Sequence, residues 1–179
     1  MQPSAICRSE SGAWAATLLL AVLGCAAASH GQSGQELTLV NPVPGSTVTA
    51  FFSSERQHPP FQTARPHDGI DLRAPRGTDV EAAAAGNVKD ATSLYQGQAG
   101  WGLVVTVDHG SGIETLYAHL DKITVQPGQA LSAGEMVGTV GSSGWAIEPH
   151  LHFEVRHQGT PVDPVAYVRD WQNGAPSGD

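Results

Sequence analysis

The chain has 179 residues, enough for one packed domain and too few for two of ordinary size. Hydrophobic residues make up 40% and charged residues 15%, a globular balance that excludes wholesale disorder. Nine Lys+Arg face 17 Asp+Glu, a formal net charge of −8, so no basic stripe is available to hold a nucleic-acid backbone.

In chain order, the first predicted element is a targeting segment over residues 1–24. Ala13 to Gly24 reads AWAATLLLAVLG, 12 uncharged residues behind a stretch whose one cation is Arg8. A membrane-spanning helix needs about 20 apolar residues. The shorter run fits the apolar region of a secretory signal peptide. Two cleavage readings stay open. Val22-Leu23-Gly24-Cys25 resembles a bacterial lipobox, which makes Cys25 a lipidated first residue, whereas Ala26-Ala27-Ala28 suits ordinary cleavage before Ser29. The lipobox is preferred because Cys25 sits where the apolar run ends. Either way the chain is expected to be exported, to the periplasm, to a lipid-anchored place on the outer membrane, or to the medium. Residues 25–35 read as a small, polar linker, 36–170 as the folded domain and 171–179 as a C-terminal tail. Removal of residues 1–24 leaves eight basic against 16 acidic residues, so the acidity belongs to the domain. Cys7 goes with the signal and Cys25 is lost or lipidated. No intramolecular disulfide is then possible, and a metal site cannot use thiolate.

From Leu37 short apolar runs alternate with Gly and Pro punctuation. Predicted strands cover 37–40, 47–52, 80–84, 87–91, 103–108, 114–119, 136–140 and 150–156. Valines such as Val104, Val105 and Val107 favour strand over helix. No clean 3.6-residue period occurs outside the signal, so the expectation is a β-dominated domain of antiparallel hairpins. Segment 53–66 (SSERQHPPFQTARP) reads as a long loop that could wall a cleft.

Five side chains stand out by spacing. His150 and His152 are two residues apart in a strand, so they share a face while Leu151, Phe153 and Val155 point into the core; Glu154 continues the polar face. His67 and Asp71 share parity, but a straight strand would separate them by ~13 Å. The chain must bend between them if both touch one metal, and Asp68-Gly69 supplies a turn signal. His119 lies in a separate predicted strand. His30, His58, His109 and His157 lack such partners and are read as solvent or loop residues.

The segments His67-Asp68-Gly69-Ile70-Asp71-Leu72, Leu116-Tyr117-Ala118-His119-Leu120 and Pro149-His150-Leu151-His152-Phe153-Glu154 resemble the signature segments of the lysostaphin-like metalloendopeptidases, bacterial zinc enzymes that cut peptide cross-links in peptidoglycan. The likeness covers about residues 40–168. It implies an antiparallel β-sheet groove and a peptidase domain over 36–170. It implies one zinc per domain held by His67, Asp71 and His152, with His119 and His150 as the catalytic pair. Peptidoglycan stem or cross-bridge peptides are the implied partners. No nucleic acid is expected, a membrane enters only through a lipid anchor, and a monomer is the expectation. No HExxH motif is present, so the usual Glu base of that class is missing and a His near neutrality can move the proton instead. The sequence does not divide that work between His119 and His150. Tyr117 shares strand parity with His119, which would place it in the cleft as a substrate contact; a packed aromatic is the competing role. Some members of this fold lose metal ligands and become non-catalytic activators of amidases, but all five site residues are present here. One departure stands out: Ile147-Glu148 replaces the small or hydroxylated residue and Gly that often precede this Pro.

Overall fold

The computed structural model describes residues 37–57 and 64–172. The signal segment, Cys25, the linker, His30, His58 and the tail beyond Gln172 lie outside the described residues. Among the described residues, no helix is long and apolar enough to cross a membrane.

Ten of the described strands form one antiparallel sheet. Its main path runs β1 (Thr47–Ala50), β4 (Ile70–Arg73), β11 (His150–His157), β8 (Ile113–Ile123), β7 (Leu103–Asp108), β6 (Gly86–Thr92) and β9 (Ala130–Leu131). Three short strands complete it: β10 (Met136–Val140) pairs with β8 and with β5 (Asp79–Glu81), and β12 (Thr160–Val162) pairs with β11. A separate two-stranded sheet joins β2 (Ser53–Gln57) to β3 (Ala64–His67). The flanks of segment 53–66 are therefore paired strands and not the expected loop. Pro66 is tolerated because this ribbon has an edge that needs no donor there. Predicted strand 37–40 forms one bridge, Leu39 to Val168, and predicted strand 80–84 shortens to Asp79–Glu81. Ala82–Ala84 are buried beyond it in the core.

Odd-numbered side chains of β11 (Leu151, Phe153, Val155) and even-numbered ones of β4 (Ile70, Leu72) fill the main core with Tyr117 and Leu120 of β8. The opposite face would ordinarily meet water. Here it is partly covered by Tyr95 and Trp101, which pack with Val104, Leu116 and Ala118 as a second apolar cluster. That cover puts the polar face of β11 indoors: His152 and Glu154 are both buried. The short helix α1 (Arg169–Gln172) brings Trp171 against Phe153, ring centroids 6.5 Å apart, so the core reaches into what reads as a tail.

Tyr117 is not a cleft residue. It is fully buried, its hydroxyl accepts from Ala83 N–H at 2.8 Å and lies 2.9 Å from Thr115 Oγ1. Burial outweighs these hydrogen bonds and pushes its pKa up to about 12. Strand parity misleads because β8 carries a bulge. Leu103 pairs with Leu120 and Val105 with Tyr117, so two residues of β8 face one of β7. His119 takes the extra place with φ of 61°, and the alternation restarts at Leu120.

His109 is likewise not a loop residue at large. Its Nδ1–H donates to Ala85 O at 2.9 Å, and Nε2 lies 2.7 Å from Thr115 Oγ1. A polar chain thus links Ala85, His109, Thr115, Tyr117 and Ala83. Burial lowers the His109 pKa against the pull of the Ala85 carbonyl and Asp108. The folded value lies below the ordinary 6.5, so the unfolded chain takes the proton first and stability falls as pH drops from 6.5 towards the folded value. Chemical denaturation at pH 7.5 and 5.5 should show a smaller acid loss in His109→Gln than in wild type. At pH 7.5 the variant should be weaker by about 1–3 kcal/mol, from buried groups left unpaired.

Candidate active site

The bend expected between His67 and Asp71 is the break between β3 and β4. Gly69 makes it possible: a Cβ there would sit 2.3 Å from Phe153 O, so only glycine lets this turn lie against β11. The register then sets Asp71 opposite His152 and Arg73 opposite His150. His67 Nε2 lies 3.0 Å and His152 Nδ1 2.9 Å from the same oxygen, Asp71 Oδ1. The three candidate ligand atoms fall within 4.8 Å of one another.

The remaining ring nitrogens decide what these atoms are. His67 Nδ1–H donates to Phe51 O at 2.8 Å, and His152 Nε2–H donates to Glu154 Oε1 at 3.1 Å. Each imidazole therefore turns its other nitrogen, a lone pair when neutral, towards a carboxylate oxygen. Three acceptors converge and need a cation between them, either protons or a metal. Two imidazoles and one carboxylate with no thiolate suit zinc, for which tetrahedral ligands ~2.0–2.1 Å from the metal lie about 3.3 Å apart. The residues fit the metal.

Without metal, protons fill that role. Burial opposes charge on His152, but Asp71 and Glu154 outweigh it and raise its pKa to about 9. Burial likewise opposes the Asp71 carboxylate, and hydrogen bonds from His152 and His67 override it, holding the group far below the ordinary carboxylate range. A metal bound at these atoms would therefore displace a proton from His152 at neutral pH. Calorimetry in buffers of different ionisation enthalpy should show about one proton released per zinc at pH 7, and affinity should rise roughly tenfold per pH unit until pH nears 9.

Behind His152 the contacts close into a ring. Arg156 Nε donates to Glu154 Oε2 at 2.7 Å and Nη1 to Tyr95 OH at 2.9 Å. Tyr95 packs edge-on against Trp101, and Trp101 lies 5.5 Å from the His152 ring. Glu154 is completely buried, and its hydrogen bonds and charges from His152 and Arg156 overcome burial to keep it ionised. The parity of 150, 152, 154 and 156 signals Glu154 and Arg156 in the sequence. Nothing signals Tyr95 and Trp101, which reach the site through a Gly- and Gln-rich segment.

His119 and His150 face each other across the opening, ring centroids 5.0 Å apart. His119 Nδ1–H donates to Ser143 O at 2.9 Å, and His150 Nδ1–H to Glu148 O at 2.8 Å. Among the described residues neither Nε2 has a hydrogen-bond partner, and that of His150 is 3.9 Å from Asp71 Oδ1. Burial, with the charges of His152 and His150, holds the His119 pKa down to about 4. Ser143 also fastens the bulge: its hydroxyl donates to Leu120 O at 2.7 Å and accepts from Leu103 N–H at 2.9 Å. All five side chains line one cleft of about 550 Å³, with Trp145, Ile147 and Glu148 on its rim. Trp145 lies over Gly100, where a Cβ would come 2.9 Å from the indole.

The description of Peptidase family M23 matches residues 65–164, more than half of the chain. The chain belongs to family M23. Its M23 relatives include the DD-carboxypeptidase/endopeptidase Mpg of Neisseria meningitidis, 44% identical over 112 residues that cover 62% of this chain and 25% of that one. The uncharacterized lipoprotein YgeR of Escherichia coli is 38% identical over 112 residues, 61% of this chain and 42% of the other. The chain thus spans less than half the length of either relative. A zinc containing peptidase from Vibrio cholerae superposes with a TM-score of 0.62 at 32% identity, covering 72% of this chain and 38% of that one. The catalytic domain of lysostaphin from Staphylococcus simulans gives a TM-score of 0.52 at 30% identity, covering 57% and 78%. The M23 likeness thus extends to the antiparallel sheet that carries Asp71, His119, His150 and His152.

Proposed function

We propose that this M23 chain is a zinc-dependent endopeptidase that hydrolyses peptide cross-links of bacterial peptidoglycan. One observation carries the reading: three converging acceptor atoms stand beside two imidazoles whose Nδ1 protons are tied to backbone carbonyls. Zinc, when held by His67, Asp71 and His152, supplies Lewis acidity towards an amide carbonyl and lowers the pKa of water. The two free Nε2 atoms do the proton work. One lone pair takes a proton from the attacking water and returns it to the departing amine. The other ring, entering the cycle with a proton taken up from solvent on its Nε2, donates that N–H to the carbonyl oxygen as charge gathers on it. Burial, the largest cause, holds the His119 pKa below its ordinary value and favours the neutral ring at pH 7.

Mass spectrometry of purified peptidoglycan digested with the zinc-loaded domain tests the proposal. Released peptides ending at a former cross-link support it. An intact wall, digested by an amidase only when this chain is added, would replace it with an activator role.

The reading places the protein in the cell envelope, anchored through Cys25. Its support is the lipobox-like Val22-Leu23-Gly24-Cys25 and the YgeR relative named as a lipoprotein. Cys25→Ala should move the protein from the membrane to the soluble fraction on cell fractionation. A mature wild-type N-terminus at Ser29 would sink the anchor.

A further inference from the structure

Directly opposed residues on antiparallel strands put their side chains on one face of the sheet, about 4.5–5.5 Å apart. Asp71 stands opposite His152, and Arg73 opposite His150. Arg73 is therefore the next rung of the ladder that carries the site, beside His150. Its Nη2 donates to Glu148 Oε2 at 2.9 Å, and Glu148 lines the cleft. Among the described residues the cleft lining holds three carboxylates, Asp68, Asp71 and Glu148, and no Lys or Arg. Arg73 is thus a guanidinium at the mouth of an acidic cleft. Its pair with Glu148 is exposed on both sides, 60% and 66%, so water already competes for it and little holds it closed.

We propose that Arg73 reads a free carboxylate on the substrate, carried by the residue that supplies the amine of the scissile amide, with Glu148 as an exchangeable place-holder. This deepens the peptidase reading and rests on it. A guanidinium fork matches a carboxylate with two parallel hydrogen bonds, which a water-exposed Glu gives up readily. The substrate class follows from chemistry. In a D-Ala–diaminopimelate cross-link, the carbon that carries the amide nitrogen also carries a carboxylate. A terminal D-Ala–D-Ala bond has the same feature. A glycine bridge has no carboxylate there. Arg73 therefore selects the first two over the third.

The test uses two peptides with a D-Ala–D-Ala bond, one ending in a free acid and one in a carboxamide. Binding is measured by calorimetry and turnover by chromatography, on zinc-loaded wild type, Arg73→Gln, Arg73→Lys and Glu148→Gln. Wild type should favour the acid by about tenfold or more in Kd and KM, the scale of a hydrogen bond to a charged partner. In Arg73→Gln the acid-to-amide ratio should collapse towards one, with zinc content retained. Arg73→Lys should keep part of the preference, and Glu148→Gln should strengthen it by freeing the guanidinium. Equal binding of acid and amide by wild type, or an equal loss on both in Arg73→Gln, would overturn the proposal. Acid-selective, Arg73-dependent binding without turnover of either peptide would uphold the carboxylate site and sink the peptidase reading.

Discussion

His152→Ala should leave the protein without metal and without activity. His152 sits at the centre of the site, with Nδ1 2.9 Å from Asp71 Oδ1 and Nε2 3.1 Å from Glu154 Oε1. Its removal takes away one of the three proposed ligands and costs Asp71 and the completely buried Glu154 one hydrogen bond each, leaving them to His67 and Arg156. Disturbing a group that only supports a ligand already costs about 10- to 100-fold in metal affinity, so losing the ligand should cost more than about 100-fold. Asp71→Ala should lose zinc to a similar degree, because both imidazoles aim at its Oδ1. Elemental analysis of the dialysed variants, with circular dichroism to follow the sheet, is the measurement. Stoichiometric zinc in either variant would refute the ligand set.

His119→Ala and His150→Ala should behave in the opposite way: metal kept, turnover lost. Neither is among the three converging ligand atoms. Each holds its ring by one main-chain carbonyl and offers one free nitrogen. Loss of a positioned acid–base group costs typically 10²–10⁴-fold in rate. The pair acts as a unit, so the double variant should be little slower than the slower single one. His119 also carries a left-handed backbone at φ 61°, which Ala relieves no better. His119→Gly should therefore be more stable than His119→Ala by about 1 kcal/mol while being equally inactive. Zinc content and wall digestion on the same preparations separate the two classes. Zinc loss in His119→Ala would make that residue a ligand.

Much of this could be read in the letters. Strands β7 and β10 begin and end where their valine-rich runs predict, because each is a short apolar run buried nearly throughout and bounded by Gly. The shared face of His150 and His152 and the bend at Gly69 follow from strand geometry alone. Three features did not show. The bulge at His119 sits on a residue with no turn signature, so parity assigned Tyr117 to the wrong face. The ribbon of β2 and β3 is polar and contains Pro66, and such composition reads as loop. His109 became structural only when the fold brought Ala85 and Thr115 to it.

The segment between β10 and β11 does two jobs with different atoms. Its main chain, through Ser143 O and Glu148 O, sets the tautomers of His119 and His150. Its side chains Trp145, Ile147 and Glu148 face outward at the cleft mouth, with Trp145 76% and Ile147 85% exposed. Any residue at 148 supplies the same carbonyl. The identity of that side chain can therefore drift, or be randomised in the laboratory, without retuning the base beside it. The chemistry is written in backbone and the preference in side chains. A library confined to positions 145, 147 and 148 would vary the cleft mouth while leaving the proposed catalytic pair, His119 and His150, intact.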